Sequence, residues 1–465
     1  MRDLIFVAYV AAILLLAFNR PFIFTLVYAY IDICSPQRLS YFMLNSVPLS
    51  LIVFGLAVIG FLVSDDKHNV RISPRWALLV VLLIYCGYTT TVAVEPVAAL
   101  DKWSWVWKAL VFAAFLPLTL TTRLRIEALV LTMVLCVSAL IVTGAIKTLA
   151  GGGGYGVLVL LIYDNSGLFE GSIISCVAIT VIPLILWLAK HGTIFKPDWR
   201  VRIYAAALIF SCMLIPVGTQ ARTGLICVAV LGLLMLRFVR FRFAYLAAIA
   251  LLGAASIPFL PASLTQRAET IKDYKQDESA YTRIAIWKWT WEFAKTHPMG
   301  GGFNSYLQNH IQYDIKQKKD PNNRYDDYVV EGETKQIVDS GRAFHSSYFE
   351  MLGEQGYPGL VIWLIIHVGG IWRMEMLSRL YRRRKLDGEE WIAPLATALQ
   401  NAHIVYLIGC LFVGIAFQPF VYMLVALQIS LDTYLARRRK EAAWRPIKSL
   451  RLHASKTEER GPAAA

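Results

Sequence analysis

Three side chains in this 465-residue chain have the types and setting to act together on an anion. Arg222 lies in Gly218-Thr219-Gln220-Ala221-Arg222-Thr223-Gly224, a polar break between two apolar runs. Arg283 lies in Tyr281-Thr282-Arg283-Ile284-Ala285-Ile286-Trp287, and His345 in Phe344-His345-Ser346-Ser347-Tyr348-Phe349. Two guanidinium groups grip oxyanions, and an imidazole exchanges protons near neutral pH. On one side of a bilayer they suit chemistry on an anionic, lipid-linked substrate.

Arg222 carries the sharpest argument. Arg237 follows fifteen residues later, a helical rise of about 22 Å against a hydrocarbon core of about 30 Å. Arg237 belongs to a basic cluster with Arg240 and Arg242, so Arg222 is expected to sit recessed below the other surface. A recessed arginine is costly unless it faces a watery cavity or an anion; the bland alternative is snorkelling to the interface. Arg283 opens a helical-looking segment through Ala294 whose Trp and Phe side chains recur at helical spacing, with Pro298 and Gly300-Gly301-Gly302 ending it. Alone it reads first as a solvated residue or ion-pair partner. His345 opens a second helical segment, and a helix N-terminus keeps a histidine neutral and favours anions. That suits a base or hydrogen-bond partner beside a diphosphate, with an interfacial histidine of no chemical role as the alternative. His297 and His310 compete with it. Glu95, Asp101 and the group Asp326, Asp327, Glu331 and Glu333 read as surface charge.

The elements that must hold these residues are membrane spans. The chain is 57% hydrophobic with a mean hydropathy of +0.52. Apolar runs of near-spanning length recur to about residue 436, and no alternating segments of a β-barrel occur. The expected fold is all-α, a polytopic inner-membrane bundle of about 12–13 spans with one large outward loop. Spans are expected near 47–63, 76–94, 105–120, 127–149, 171–189, 203–218, 223–236, 243–260, 358–373, 394–415 and 420–436. The expected organisation is an anchor or hairpin over 1–46, a bundle over 47–260, a large loop over 261–357, further spans over 358–436 and a basic tail over 437–465. Asn19-Arg20-Pro21 divides the N-terminal run into either a hairpin or one kinked element.

The formal net charge of +14 does not indicate nucleic acid, because Lys and Arg cluster in short connectors while residues 261–345 hold twelve basic and twelve acidic residues. Short basic connectors alternating with neutral ones are the positive-inside pattern. It assigns the connectors near 95–104, 150–170, 219–222, 261–345 and 416–419 to the outside. All seven cysteines fall in or beside apolar runs with no Cys-x-x-Cys pair, so they read as small hydrophobes. Gly151–Gly154 lacks the spacing of a phosphate loop and reads as a flexible linker. Gly-x-Ser-x-Gly, His-Glu-x-x-His and Asp-x-Asp are absent, so serine and zinc peptidases and metal-dependent glycosyltransferases lack their usual marks.

Taken together, the Gln-Ala-Arg-Thr-Gly turn, Arg-x-x-x-Trp with a following Pro-x-Gly-Gly-Gly-Phe, and His-Ser-Ser-Tyr-Phe-Glu-Met-Leu-Gly-Glu-Gln-Gly-Tyr-Pro-Gly-Leu resemble the O-antigen ligase/polymerase superfamily over about residues 200 to 430. The N-terminus, through Met1-Arg2-Asp3, Arg20-Pro21-Phe22 and Ser35-Pro36-Gln37-Arg38-Leu39, also resembles the exosortase-associated O-glycosylation ligases. The resemblance implies a glycan donor on undecaprenyl diphosphate, used at the periplasmic face of the inner membrane by an inverting transferase without a metal or cofactor. The acceptor would be a lipid, glycan or protein hydroxyl. Arg222 and Arg283 would hold the diphosphate and His345 would assist the acceptor hydroxyl, with Gln220, Lys288, Arg342 and Tyr348 in support. Rival readings are a polysaccharide polymerase, a protein O-oligosaccharyltransferase and, outside catalysis, a lipid-linked glycan flippase. Membrane lipids are expected partners and nucleic acid is not.

Overall fold

A computed structural model describes residues 2–40, 43–44, 47–64, 72–159, 167–237, 241–243, 247, 278–316, 334–384 and 388–443. Most of the expected span at 243–260, the 261–277 and 317–333 loop segments with Asp326, Asp327, Glu331 and Glu333, and the tail beyond 443 lie outside the described residues. Within them the chain is a helical bundle. Helices α1 (Arg2–Asn19), α2 (Phe22–Cys34) and the short α3 (Pro36–Leu39) lead into α4 (Leu49–Ser64), α5 (Pro74–Thr91) and α6 (Pro96–Thr119). Then come α7 (Arg123–Gly151), α8 (Gly171–His191), α9 (Trp199–Gly218) and α10 (Arg222–Leu236). After the loop follow α11 (Glu278–Thr296), strands β1 (His310–Lys316) and β2 (Thr334–Ser340), α12 (Ser347–Arg384), α13 (Ile392–Gly409) and α14 (Pro419–Ala443). Six of the described helices are long and apolar enough to cross a bilayer. In a slab without water every backbone polar group must find an internal partner, which a helix provides. The protein is a multi-pass helical membrane protein.

Helix starts follow local chemistry. Ser73, with Pro74 behind it, accepts a hydrogen bond from the Trp76 N–H at 3.2 Å. Glu170 accepts from Ile173 at 2.8 Å and Asp198 from Val201 at 2.8 Å, satisfying N–H groups that lack a partner in the first turn. The N-terminal ambiguity resolves as a hairpin: α1 folds back on α2, with Tyr9 against Tyr30 at 5.7 Å and Phe18 against Phe24 at 5.2 Å. Helices α8, α13 and α14 are the most enclosed. All seven cysteines are buried and free.

Two expectations change in detail. An antiparallel ribbon, β1 paired with β2 from His310 opposite Ser340 to Lys316 opposite Thr334, adds a small β element to the large loop of an otherwise helical chain. Gly151–Gly154 is docked rather than loose. The Gly154 N–H donates to Gly218 O at 2.7 Å, and Gly153, at φ +91°, has Gly218 Cα only 3.0 Å from where a Cβ would lie. The linker therefore braces the turn that precedes Arg222.

Candidate active site

The Pro298–Gly302 segment that ends α11 interlocks with the glycine motif at Gly356. Helix α12 bends at Gly356, whose φ of 63° and ψ of −167° interrupt the helical path. Into that bend fits the Pro298–Gly302 segment. The Tyr357 N–H donates to Pro298 O at 3.0 Å, Gly301 N–H to Gly353 O at 2.9 Å and Gly302 N–H to Glu354 O at 2.9 Å. A Cβ on Gly300 would lie 2.4 Å from Glu354 O, and one on Gly356 would lie 2.3 Å from Pro298 O. Both residues also have positive φ, so only glycine permits this approach. From the other side the Val94 N–H donates to Gly301 O at 2.8 Å, and the Tyr85 hydroxyl to Met299 O at 2.7 Å. The segment after α11 is thereby clamped between the α5–α6 corner and the bend of α12.

This clamp fixes where Arg283 and His345 go. The Trp287 ring stacks on Phe349 at 5.0 Å and 5° while its Nε1–H donates to Phe344 O at 3.0 Å. Buried Ile286, Ile311 and Phe344 form a small second core beneath. Arg283 and His345 consequently line one cavity of about 580 Å³, together with Asp101, Lys102 and Trp105 of α6, Glu170 and Ser172 at the start of α8, Tyr306, Glu350 and Glu354, and residues 412–415, 417 and 418. Asp101, Lys102, Gly167, Glu170, Arg283, His345, Phe417 and Gln418 of this lining fall in connectors that the charge pattern is expected to put on one side of the membrane. The other ends of the same helices carry basic contacts: Arg123 to His191 O at 3.0 Å, Arg373 to Asp432 at 2.6 Å and Arg437 to Thr121 O at 3.1 Å.

His345 stands two residues before α12 rather than inside it, in the left-handed region at φ +50°, a costly conformation for a non-glycine residue. The adjoining helix end is anchored: the Ser347 N–H donates to Cys410 O at 2.8 Å and Ser347 Oγ accepts from the Ile415 N–H at 2.9 Å. The Ser347 N–H is therefore occupied rather than open to an anion. Partial burial lowers the His345 pKa from its ordinary value, and the charges of Arg283 and Arg342 lower it further. The imidazole is accordingly neutral at pH 7 and available to accept a proton.

The remaining candidates do not share this cavity. Arg222 begins α10 with an exposed side chain, outside the described cavity lining. Its turn adjoins the α8 end, where Ser175 and Thr219 hydroxyls meet at 2.7 Å, and Gln220 there has φ +54°. Arg342 pairs with Asp339. Lys288 is exposed on α11, away from the lining. Tyr348 donates its hydroxyl to Leu407 O at 3.1 Å and packs edge-on to Trp363, a role in packing. His297 stacks on Phe293 at 4.2 Å, and His310 contacts Asn309 O at 2.7 Å; neither lines the cavity.

A buried ion cluster forms the floor and has no counterpart among the expected site residues. Lys102 Nζ lies 2.6 Å from Glu350 Oε1 and 2.8 Å from Glu354 Oε1. Glu350 also accepts from the Ala416 N–H at 3.1 Å and Glu354 from the Asn304 N–H at 2.9 Å. One cation thus ties α6, the bend of α12, the 298–309 segment and the 410–418 turn. Two carboxylates one turn apart on a helix face were a visible signal; their cation, about 250 positions away, was not. Asp101, expected to be surface charge, lines the cavity. Glu95 holds Gln308. Among the described residues no three His, Cys, Asp or Glu side chains converge as metal ligands.

Residues 1–193 match a family of unknown function, DUF5935, and residues 205–364 match the O-antigen ligase family. Comparison with curated proteins gives no match. The second matched region holds Arg222, Arg283, His345 and both interlocking glycine motifs, so over residues 205–364 the chain is similar to the O-antigen ligase family.

Proposed function

We propose that the cavity transfers a glycan from undecaprenyl diphosphate to an acceptor hydroxyl at the periplasmic face of the inner membrane. The observation that carries this reading is the meeting of Arg283 and His345, 62 positions apart in the sequence, in one cavity whose lining includes the start of α8, which the turn before Arg222 adjoins. Arg283 and Arg222 hold the diphosphate, Arg283 from the cavity wall and Arg222 from the neighbouring helix start. As the bond from anomeric carbon to phosphate oxygen breaks, its electron pair passes to the diphosphate, and guanidinium groups stabilise the growing charge. The acceptor oxygen forms the new bond from the opposite face, inverting the anomeric centre. Its hydrogen is held by the neutral His345, through which the proton leaves. This chemistry needs no metal, since arginines supply the positive charge.

The acceptor is a lipid, protein or glycan hydroxyl, giving ligase, protein O-oligosaccharyltransferase or polymerase activity on one mechanism. The test is reconstitution of purified protein with an undecaprenyl-diphosphate glycan and each acceptor class, read by mass spectrometry. A glycosidic product with one acceptor class is expected. Movement of the lipid-linked glycan across the bilayer with no product in any reaction would replace the transferase with a flippase.

A further inference from the structure

The cavity walls differ in charge. Arg283 and His345 come from the loop side, whereas Asp101 and Glu170 stand on α6 and at the start of α8. Lys102 does not offset these acids, because Glu350 and Glu354 already hold it. The α6 wall would repel a diphosphate and suits a neutral polyhydroxyl compound. It also presents an aromatic surface: Trp105 lines the cavity and keeps 41% of its surface exposed. Its neighbour Trp103 instead stacks on Phe303 at 6.1 Å. Asp101 precedes Trp105 by four residues, so both lie on one face of α6. The Gln418 side chain adds an amide to the same lining.

We propose that Asp101, Trp105 and Gln418 form a carbohydrate subsite. The indole face packs on the C–H face of a pyranose ring, and the carboxylate accepts hydrogen bonds from ring hydroxyls, combining an apolar body with a few placed polar groups. This subsite rests on reading the cavity as the site of glycan transfer, and it orients the substrate with sugar toward α6 and diphosphate toward Arg283. A donor glycan and a glycan acceptor share this chemistry, so the test has an arm for each.

Full-length protein in nanodiscs is titrated by saturation-transfer NMR with three probes. These are the free oligosaccharide released from the lipid-linked donor, a lipopolysaccharide core oligosaccharide, and undecaprenyl diphosphate bearing no sugar. Trp105→Ala is expected to weaken one oligosaccharide about tenfold, and Trp105→Phe about threefold or less, since a smaller ring keeps part of the stacking. Asp101→Asn should weaken the same oligosaccharide, while binding of the sugar-free diphosphate stays within about twofold in all three variants. Loss on the donor oligosaccharide assigns the subsite to the donor, and loss on the core oligosaccharide assigns it to the acceptor. The proposal is overturned if the wild-type protein binds neither oligosaccharide. It is also overturned if Trp105→Ala and Asp101→Asn leave both bound as before, or if the variants weaken the bare diphosphate as much as the sugar. Trp105-dependent oligosaccharide binding by a protein that transfers nothing would sustain the subsite while refuting the transferase.

Discussion

Replacing Lys102 by Met should damage the protein far more than neutralising either of its partners, and the reason is a count of buried charges. The Lys102 side chain is 12% exposed, Glu350 7% and Glu354 0%, so the cluster holds one cation and two carboxylates away from water. Removing the cation leaves two desolvated carboxylates facing each other. Loss of one partner from a buried pair costs about 3–5 kcal/mol, and here two acids are stranded at once. Glu354→Gln removes only the excess negative charge. The ion pair with Glu350 survives, and the amide oxygen can still accept from the Asn304 N–H, so the loss is about that of one hydrogen bond, ~1 kcal/mol. The double variant Lys102→Met/Glu354→Gln should be less damaged than the sum of the two, because only one uncompensated carboxylate remains. The assay is thermal unfolding in detergent micelles, followed by Trp fluorescence, with glycan transfer measured on the same samples. Lys102→Met should unfold well below the wild type and lose transfer, while Glu354→Gln stays near the wild-type midpoint. Equal destabilisation by the two single variants, or strict additivity in the double variant, would refute this charge count.

Arg283→Ala and Arg222→Ala should each lower transfer by about a hundredfold, ~3 kcal/mol of lost transition-state stabilisation, with Lys restoring only part because an ammonium lacks the bidentate grip; unchanged rates in either variant remove that arginine from the site. The pH profile of kcat/KM should have an acid limb below the ordinary histidine value of about 6.5, because burial and then Arg283 and Arg342 favour neutral His345, and activity falls as pH drops through that lowered pKa. In Arg283→Lys, which retains the charge, the limb should stay in place. In Arg283→Ala, residual activity should show it moved upward, and a limb that does not move argues against His345 as its source. Transfer should survive EDTA; loss on chelation with recovery in Mg²⁺ or Mn²⁺ would require a metal-held diphosphate. Cysteine labelling of Asn322 variants in intact cells should find that position on the periplasmic side, and labelling only after permeabilising the inner membrane would put the site in the wrong compartment.

Much of the architecture was legible because it depends on local quantities. Span length and the basic connectors are read within a few residues of themselves, since bilayer thickness and the charge asymmetry of the connectors are local requirements. The same reading marked Arg283 and His345 as candidates from their polar settings between apolar runs. It misjudged Gly151–Gly154 as loose, since composition records that glycine permits an unusual backbone but not whether another backbone fills the space it leaves.

The sequence by itself determined a chain of membrane helices with a neutral, polar loop and a small set of residues fit to meet an anion. Tertiary structure alone decided that Lys102 would join Glu350 and Glu354, that the Gly300 segment would seat in the bend at Gly356, and that Asp101 and Trp105 would line one cavity with Arg283. Each of these depends on partners about 50 to 250 positions apart. Such pairing leaves no periodicity to detect in the sequence. It arises only when helices pack closely enough that a buried charge must find its opposite and a missing side chain admits a neighbouring backbone.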